Sequence, residues 1–555
     1  MAADVCLREH VSVTTRIGRR SDRRGRRVLV AALAAAVALG GLAACSGDAG
    51  PGRGPTDRIV LAEAQAPGEF NPLLGYGRLG VSPIYEGLLA PGTDSDERLP
   101  DLVPALAASR PERIAPRVWR VALKTGVTFS DGTPFDSADV VATYRAAVDP
   151  AVASAVSTYL APIVEMKADG PQSVTVTMAT DADPSPYLLL GIVPAERVER
   201  IPAAQWALNT DPVGTGPYRL DSLDPDQAIL VAREDHRDGT PAMRRVVYTH
   251  VPDDNSRAQL LQTGEVDGAS LPPRLAAGFE GRDDLDVVDV ASADWRGVSL
   301  PARNDFTADP AARRAMNLGI DRKALLEDVL DGDGEPASTP ISRAYGDAYD
   351  ESAQFPYDRD AAQRVLDAAG WRPGEDGIRV RNGVRASFPL LYNAGDTLRR
   401  DLAVAFAAAM KKIGVEVLTR GTSWDEIETK LATAGALLGG GEMPYSIDSQ
   451  VYDALHTRVP GSSPYSNPGD FTAPGLDEML DAARESAPGP RNDERYRRIQ
   501  QIYSAEPSQV FLAFVHHTYV ARSAGWTHDA PILEPHSHGV IWGPWWNLPS
   551  WSPEA

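Results

Sequence analysis

Cysteine is nearly absent: Cys6 and Cys45 are the only two in 555 residues. Cys6 lies in the first segment, which reads below as a removable leader. The rest of the chain then has no partner for an internal disulfide, and its stability has to come from a packed core. Long apolar runs are missing as well. Val28–Leu39 is twelve residues, short of the roughly 20 that a membrane-spanning helix needs, and no later run is longer. Catalytic signatures are also lacking. There is no G-x-S-x-G elbow, no H-E-x-x-H, no phosphate-binding P-loop and no G-x-G-x-x-G. No internal repeat appears. Positive charge is scarce: 55 Lys and Arg stand against 76 Asp and Glu. Setting aside residues 1–44, with eight arginines and three acids, leaves 47 basic and 73 acidic residues. That balance argues against nucleic acid as a partner, and against anionic lipid bound through the folded surface.

The N-terminal segment is legible. Arg16, Arg19, Arg20, Arg23, Arg24, Arg26 and Arg27 precede the Val28–Leu39 run, and Leu42-Ala43-Ala44-Cys45 follows it. Basic, apolar and small-residue stretches in that order make an export signal. The last four residues are similar to a bacterial lipobox, whose cysteine carries a diacylglycerol. Residues 1–44 are thus expected to be a lipoprotein signal peptide, Cys45 the lipid anchor and 45–56 a tether.

About 500 residues remain, enough for two or three domains. Arg58-Ile59-Val60-Leu61 and Ser173–Met178 read as strands. Trp119–Leu123, turning at Thr125-Gly126 into Val127-Thr128-Phe129, reads as a hairpin. The second half is more helical. Asp309 and Asp321 open two helices that end at Gly319 and Leu330, and Asp360 caps a third. Asp396 opens a fourth, with Leu398, Leu402, Phe406, Ala409 and Ile413 at helical spacing. Gly414 stops it before the strand Val415–Leu418. Helix, glycine, strand is an α/β unit.

Several segments, in order along the chain, resemble the peptide/nickel (family 5) substrate-binding proteins of ATP-binding cassette importers. Trp119 to Phe135, continuing to Asp139-Val140-Val141, is similar to the family's W-x-x-x-L-x-x-G-V-x-F-x-D-G-T-P pattern. Asp211 to Tyr218 resembles its P-V-G-T-G-P-Y turn. Asp309 to Ala315, then Ile320-Asp321-Arg322, resembles its helix pair, with Gly319 in place of the usual alanine. Phe70–Leu73 and Ile84–Leu89 fit its first strand and helix. The resemblance implies an α/β, two-lobed, periplasmic-binding-protein-like fold of type II, with an inserted subdomain and a ligand cleft between lobes. Mapped here, lobe I is 57–298 plus 520–555, with an insert near 100–210, and lobe II is 304–512. Trp295 to Arg303 and Phe511 to Val520 are the expected hinge strands. The implied function is capture of a di- or oligopeptide by hinge closure. It would act as a monomer anchored outside the cell membrane, handing ligand to importer permease subunits without a cofactor. A nickel or other metal chelate is the alternative cargo, and a secreted hydrolase or a sensor is the reading from another class.

Candidate site residues follow from this. Arg399 and Arg400 come after Asn393, where dipeptide-binding relatives place a carboxylate-clasping arginine. An arginine fork at a helix start suits an anion; the other reading is a solvated face paired with Asp396 or Asp401. Glu442, Tyr445 and Asp448 lie in Leu438–Asp448, which lacks the tryptophan and Asp-Pro of the relatives' amine-binding loop. Its three glycines imply a close backbone approach, to ligand or to packing. Tyr76, Tyr85 and Trp424 are further candidate cleft walls, with helix or core packing as the alternative. His516 and His517 are the metal alternative, although adjacent strand residues point to opposite faces. His528, His536 and His538 complete the histidines of that C-terminal region.

Overall fold

The computed structural model describes residues 57–93, 98–459, 462–536 and 539–554. Cys45, the export segment and His538 lie outside them.

Two mixed sheets organise the chain. In spatial order, the first runs Asp286–Val290, His517–Ala521, Gly268–Ser270, Arg58–Glu63, Arg245–His250, Gln227–Ala232, Tyr218–Asp224. Arg58–Glu63 is parallel to both its neighbours, and the other pairs are antiparallel. The second runs Gly334–Pro336, Val510–Val515, Trp295–Val298, Gly435–Gly440, Ser387–Asn393, Glu416–Thr422. Strands of mixed direction covered by helices are the α/β arrangement expected from the sequence. Leu61, Tyr85 and Leu230 belong to one core and Phe388, Leu402 and Phe406 to another, so each sheet has its own apolar centre.

The chain changes sheet twice. It leaves the first after Val290 and enters the second at Trp295; it returns between Val515 and His517. The crossings are therefore Ala291–Asp294 and His516. The expected hinge strand Trp295 to Arg303 lies beyond its crossing, because Trp295–Val298 already pairs with Gly435–Gly440 and Val510–Val515. Sheet membership accordingly puts 295–298 in the second lobe and 517–519 in the first.

Caps explain the helix starts. Asp309, Asp321 and Asp396 each accept a backbone N–H two or three residues on, as expected. For Arg359–Ala368 the cap is Asp358, not Asp360. The hairpin expected at Thr125-Gly126 does not form. Val118–Ala122 pairs with Glu112–Ala115 and Ser173–Met178 in a separate four-stranded sheet, completed by Ile163–Ala168. Alternation marked the strand correctly, yet its partners lie elsewhere in the chain. Gly216 shows a close approach: a Cβ there would sit 2.6 Å from the carbonyl oxygens of both Pro83 and Ile84.

Candidate functional site

A cavity of about 1400 Å³ opens between the lobes. Tyr159 and Tyr187 of the first lobe face Trp295, Glu442, Tyr445 and Asp448 of the second. A space of that size, walled by tyrosines and a few charged groups, has the character of a small-ligand site.

The segment Gly439–Ser446 forms its floor, and its glycines serve packing. A Cβ at Gly440 would meet the Trp295 ring at 2.5 Å, and one at Gly439 would meet the Arg296 guanidinium at 2.7 Å. Gly441 has φ +117° and lies against the Ala293 carbonyl, a conformation and an approach that only glycine combines. The floor thus rides directly on the first crossing. Met443, and Tyr445 beside it, then pack into the first lobe's core, so the lobes are closed on one another.

Glu442 holds the cleft shut electrostatically. It pairs with Arg78 of the first lobe, and the His536 Nε2 lies 3.8 Å from its other oxygen. The Arg78 guanidinium also stacks 4.8 Å from the Tyr159 ring centre. Asp448 lines the same cavity and takes two bonds from the Arg484 guanidinium, at 2.9 and 3.1 Å. Burial pushes the Asp448 carboxyl up despite Arg484, and Asp453 and Asp481 add to the rise.

The arginines part company. Arg399 is largely buried, pairs with Asp396 and lies 5.2 Å over the Trp424 ring. Trp424 is 36% exposed and meets Tyr465, a cavity residue, edge-on at 5.9 Å. Arg400 is exposed and pairs with Asp401, so the solvated-face reading holds for it and the ligand reading does not. Tyr76 and Tyr85 are also corrected. Tyr85 is 1% exposed, edge-on to Tyr76 at 6.3 Å, and neither lines the cleft cavity. The two histidines face different partners: His516 Nδ1 lies 2.6 Å from Asp289, and His517 Nδ1 2.6 Å from Glu534. Among the described residues no group of three or more His, Cys, Asp and Glu side chains is arranged to hold a metal ion.

Behind the floor lies a buried polar cluster. Asp294 pairs with Arg296, and His536 Nδ1 approaches the same carboxylate to 2.5 Å. Burial, with the Arg399 charge adding, pushes the Arg296 guanidinium down to about 9. Burial first, then Arg296, holds the His536 imidazole well below its ordinary value.

Residues 101–459 match the family model described as bacterial extracellular solute-binding proteins, family 5 Middle. The chain belongs to that family. Protein XP55 of Streptomyces lividans is 37% identical over 91% of this chain and 93% of its own. Two solved family structures share the two-lobed fold. NikZ from Campylobacter jejuni, in complex with Ni(L-His), superposes with TM-score 0.75 at 21% identity, covering 90% of this chain and 100% of that one. The oligopeptide-binding protein AppA from Bacillus subtilis, in complex with a nonapeptide, gives 0.71 at 22%, covering 90% and 99%.

Arg78, Asp294, Arg296 and Glu534 were not singled out from the sequence of this family 5 protein. Asp294 and Arg296 did carry a signal: they are two charges flanking Trp295 in an otherwise apolar stretch. Arg78 and Glu534 carried none, because their partners are hundreds of residues away or reached only through the C-terminal turn.

Proposed function

We propose that this protein captures an oligopeptide between its lobes and presents it to the permease of an ATP-binding cassette importer, without turning it over. The observation that carries the reading is the cavity of about 1400 Å³, walled by Tyr159 and Tyr187 of the first lobe and by Glu442, Tyr445 and the Arg484-paired Asp448 of the second. That volume exceeds what a single amino acid or a hydrated metal ion fills, and it suits an extended chain with side chains of its own. The nonapeptide held by the related AppA supports the same ligand class. The nickel complex of NikZ keeps a chelate as the second reading, in which His516 and His517 would bind metal. The two rings face different partners, Asp289 and Glu534, and so do not converge on one ion.

Arg399 is the proposed carboxylate contact: neither it nor Trp424 lines the cavity itself, and it lies next to it, over the Trp424 ring that meets the lining residue Tyr465 edge-on. Isothermal titration with a peptide pool, alongside solution scattering, tests the reading. Peptide should bind, compact the molecule and raise its melting temperature, since a ligand of the folded state stabilises it. Arg399→Ala should weaken peptide binding by about 2–5 kcal/mol, the cost of leaving a buried carboxylate unpaired. Arg400→Ala should change little. Binding of Ni(L-His) but of no peptide would replace this reading with the chelate one.

A further inference from the structure

The cleft is more acidic than the chain it belongs to. Among the described residues, six carboxylates and two guanidiniums, those of Arg98 and Arg484, line the cavity of about 1400 Å³. Over the whole chain the acids lead by only 76 to 55, so a generally acidic surface does not account for the imbalance.

Pairing does not remove it. At the rim Asp101 meets Arg110 at 2.8 Å; deeper in, Glu442 meets Arg78 and Asp448 meets Arg484. Asp183 accepts from neutral donors, the N–H and hydroxyl of Ser185, at 2.9 and 2.7 Å. Asp453 is exposed on the helix Ile447–Leu455, and Asp493 is half-buried in the first turn of Pro490–Ala505. Neither side chain has a hydrogen bond or ion pair among the described residues. Arg497, the cation that bears on Asp493, is held by Glu494 and the Asp347 carbonyl. Among the described lining residues, three carboxylates are then left facing Arg98. Burial pushes the Asp493 carboxyl up, and Asp347 adds to the rise. Burial raises Asp448 as well, with Asp453 adding. A further cation would relieve both.

Neighbouring groups ask for a donor too. Asn492 is 7% exposed and lines the same cavity beside Asp493. Its amide nitrogen donates to the Ala483 carbonyl at 3.2 Å, while its Oδ1 is buried without a donor. Tyrosine faces here already accept guanidiniums: Arg78 lies 4.8 Å over the Tyr159 ring and Arg484 3.1 Å over that of Tyr452.

We infer that the ligand is a basic peptide, whose lysine or arginine side chains sit against Asp453 and Asp493. The inference rests on the peptide reading above and narrows it. A charge-assisted contact is stronger than one between neutral groups. An acidic side chain brought to the same wall meets like charge and is rejected, so the carboxylates select in both directions.

The test is calorimetry on the intact protein with three pentapeptides that differ only in their internal side chains: lysine, glutamine or glutamate. The lysine peptide should bind about tenfold tighter than the glutamine one, and the glutamate peptide should bind weakest. Asp453→Asn and Asp493→Asn keep the shape of each side chain and should each cut the lysine-to-glutamine ratio by about threefold or more. The ratio is the readout because a merely structural defect would weaken both peptides alike. Equal affinities of the wild type for the lysine and glutamine peptides overturn the inference and leave the peptide reading standing. So does a ratio unchanged in both variants. If none of the three binds while Ni(L-His) does, the peptide reading itself falls, and the inference with it.

Discussion

His516 is the second crossing and His536 touches Asp294 of the first, each beside a carboxylate, yet they respond to pH in opposite senses. Burial alone would lower His516, but the bond to Asp289, helped by Glu335 and Asp333, outweighs it and holds the imidazole above its ordinary 6.5. His536 lies below 6.5, through burial and then Arg296. Just below 6.5 the unfolded chain binds more protons at His536 than the folded one, so stability rises with pH there. For His516 the folded chain keeps its proton longer. Its contribution is complete below about 6.5 and is lost as pH climbs through the raised folded value. From these two residues, the melting temperature should peak near 6.5. His516→Gln should flatten the alkaline limb and leave the acid limb in place. An alkaline fall undiminished in that variant would remove His516 as its source. The same scale shows why the sequence could not choose between Arg399 and Arg400. Neighbours on a helix start point about 100° apart, and only the packing of Trp424 beside one and solvent around the other separates them.

At the scale of elements, local chemistry marked where strands and helices begin and end, and non-local packing decided what they join. Asp309, Asp321 and Asp396 cap helices because a short carboxylate reaches its own N–H groups, a contact contained within four residues. Asp358 took the cap assigned to Asp360 because both offer the same chemistry two residues apart. Val118–Ala122 read as half a hairpin, although its second partner, Ser173–Met178, is some fifty residues on. Glycine in the Asp211–Tyr218 turn belongs to this scale too. Gly216 shows no positive φ; what it supplies is room for the backbone at Pro83 and Ile84. Gly216→Ala should therefore cost about 1–3 kcal/mol or more in urea denaturation, as overpacking against backbone does. Wild-type stability in that variant would mean the Pro83–Ile84 segment yields easily.

At the largest scale, two sheets with separate cores are joined by two short crossings, Ala291–Asp294 and His516. Among the described residues, polar contacts between them include Arg78 to Glu442, Arg274 to Asp331, and Tyr187 to Ser446 at 3.4 Å. Met443 supplies the apolar closure. An interface that includes ion pairs and hydrogen bonds of this kind suits the hinge closure proposed above for capture. Attachment of this body to the membrane is proposed through Cys45. Cys45→Ala should release the protein from cells into the medium and abolish labelling by a fatty-acid analogue. Labelling that survives the substitution would place the lipid elsewhere.

The α/β class, the family and the order of its segments were legible in the chain, because each rests on residues adjacent in sequence: caps, alternation and the Trp119–Phe135 and Asp211–Tyr218 patterns. The charge balance and the lack of cysteine pairs were equally local facts. Which candidates share a cleft was not legible. Glu442 meets Arg78 across 364 positions and Asp294 meets His536 across 242, and no periodicity spans such distances. Tyr85 and Tyr445 look alike as sequence, a tyrosine among small and apolar neighbours. One is sealed in the first lobe's core and the other lines the cleft, since burial depends on what the rest of the chain folds against it.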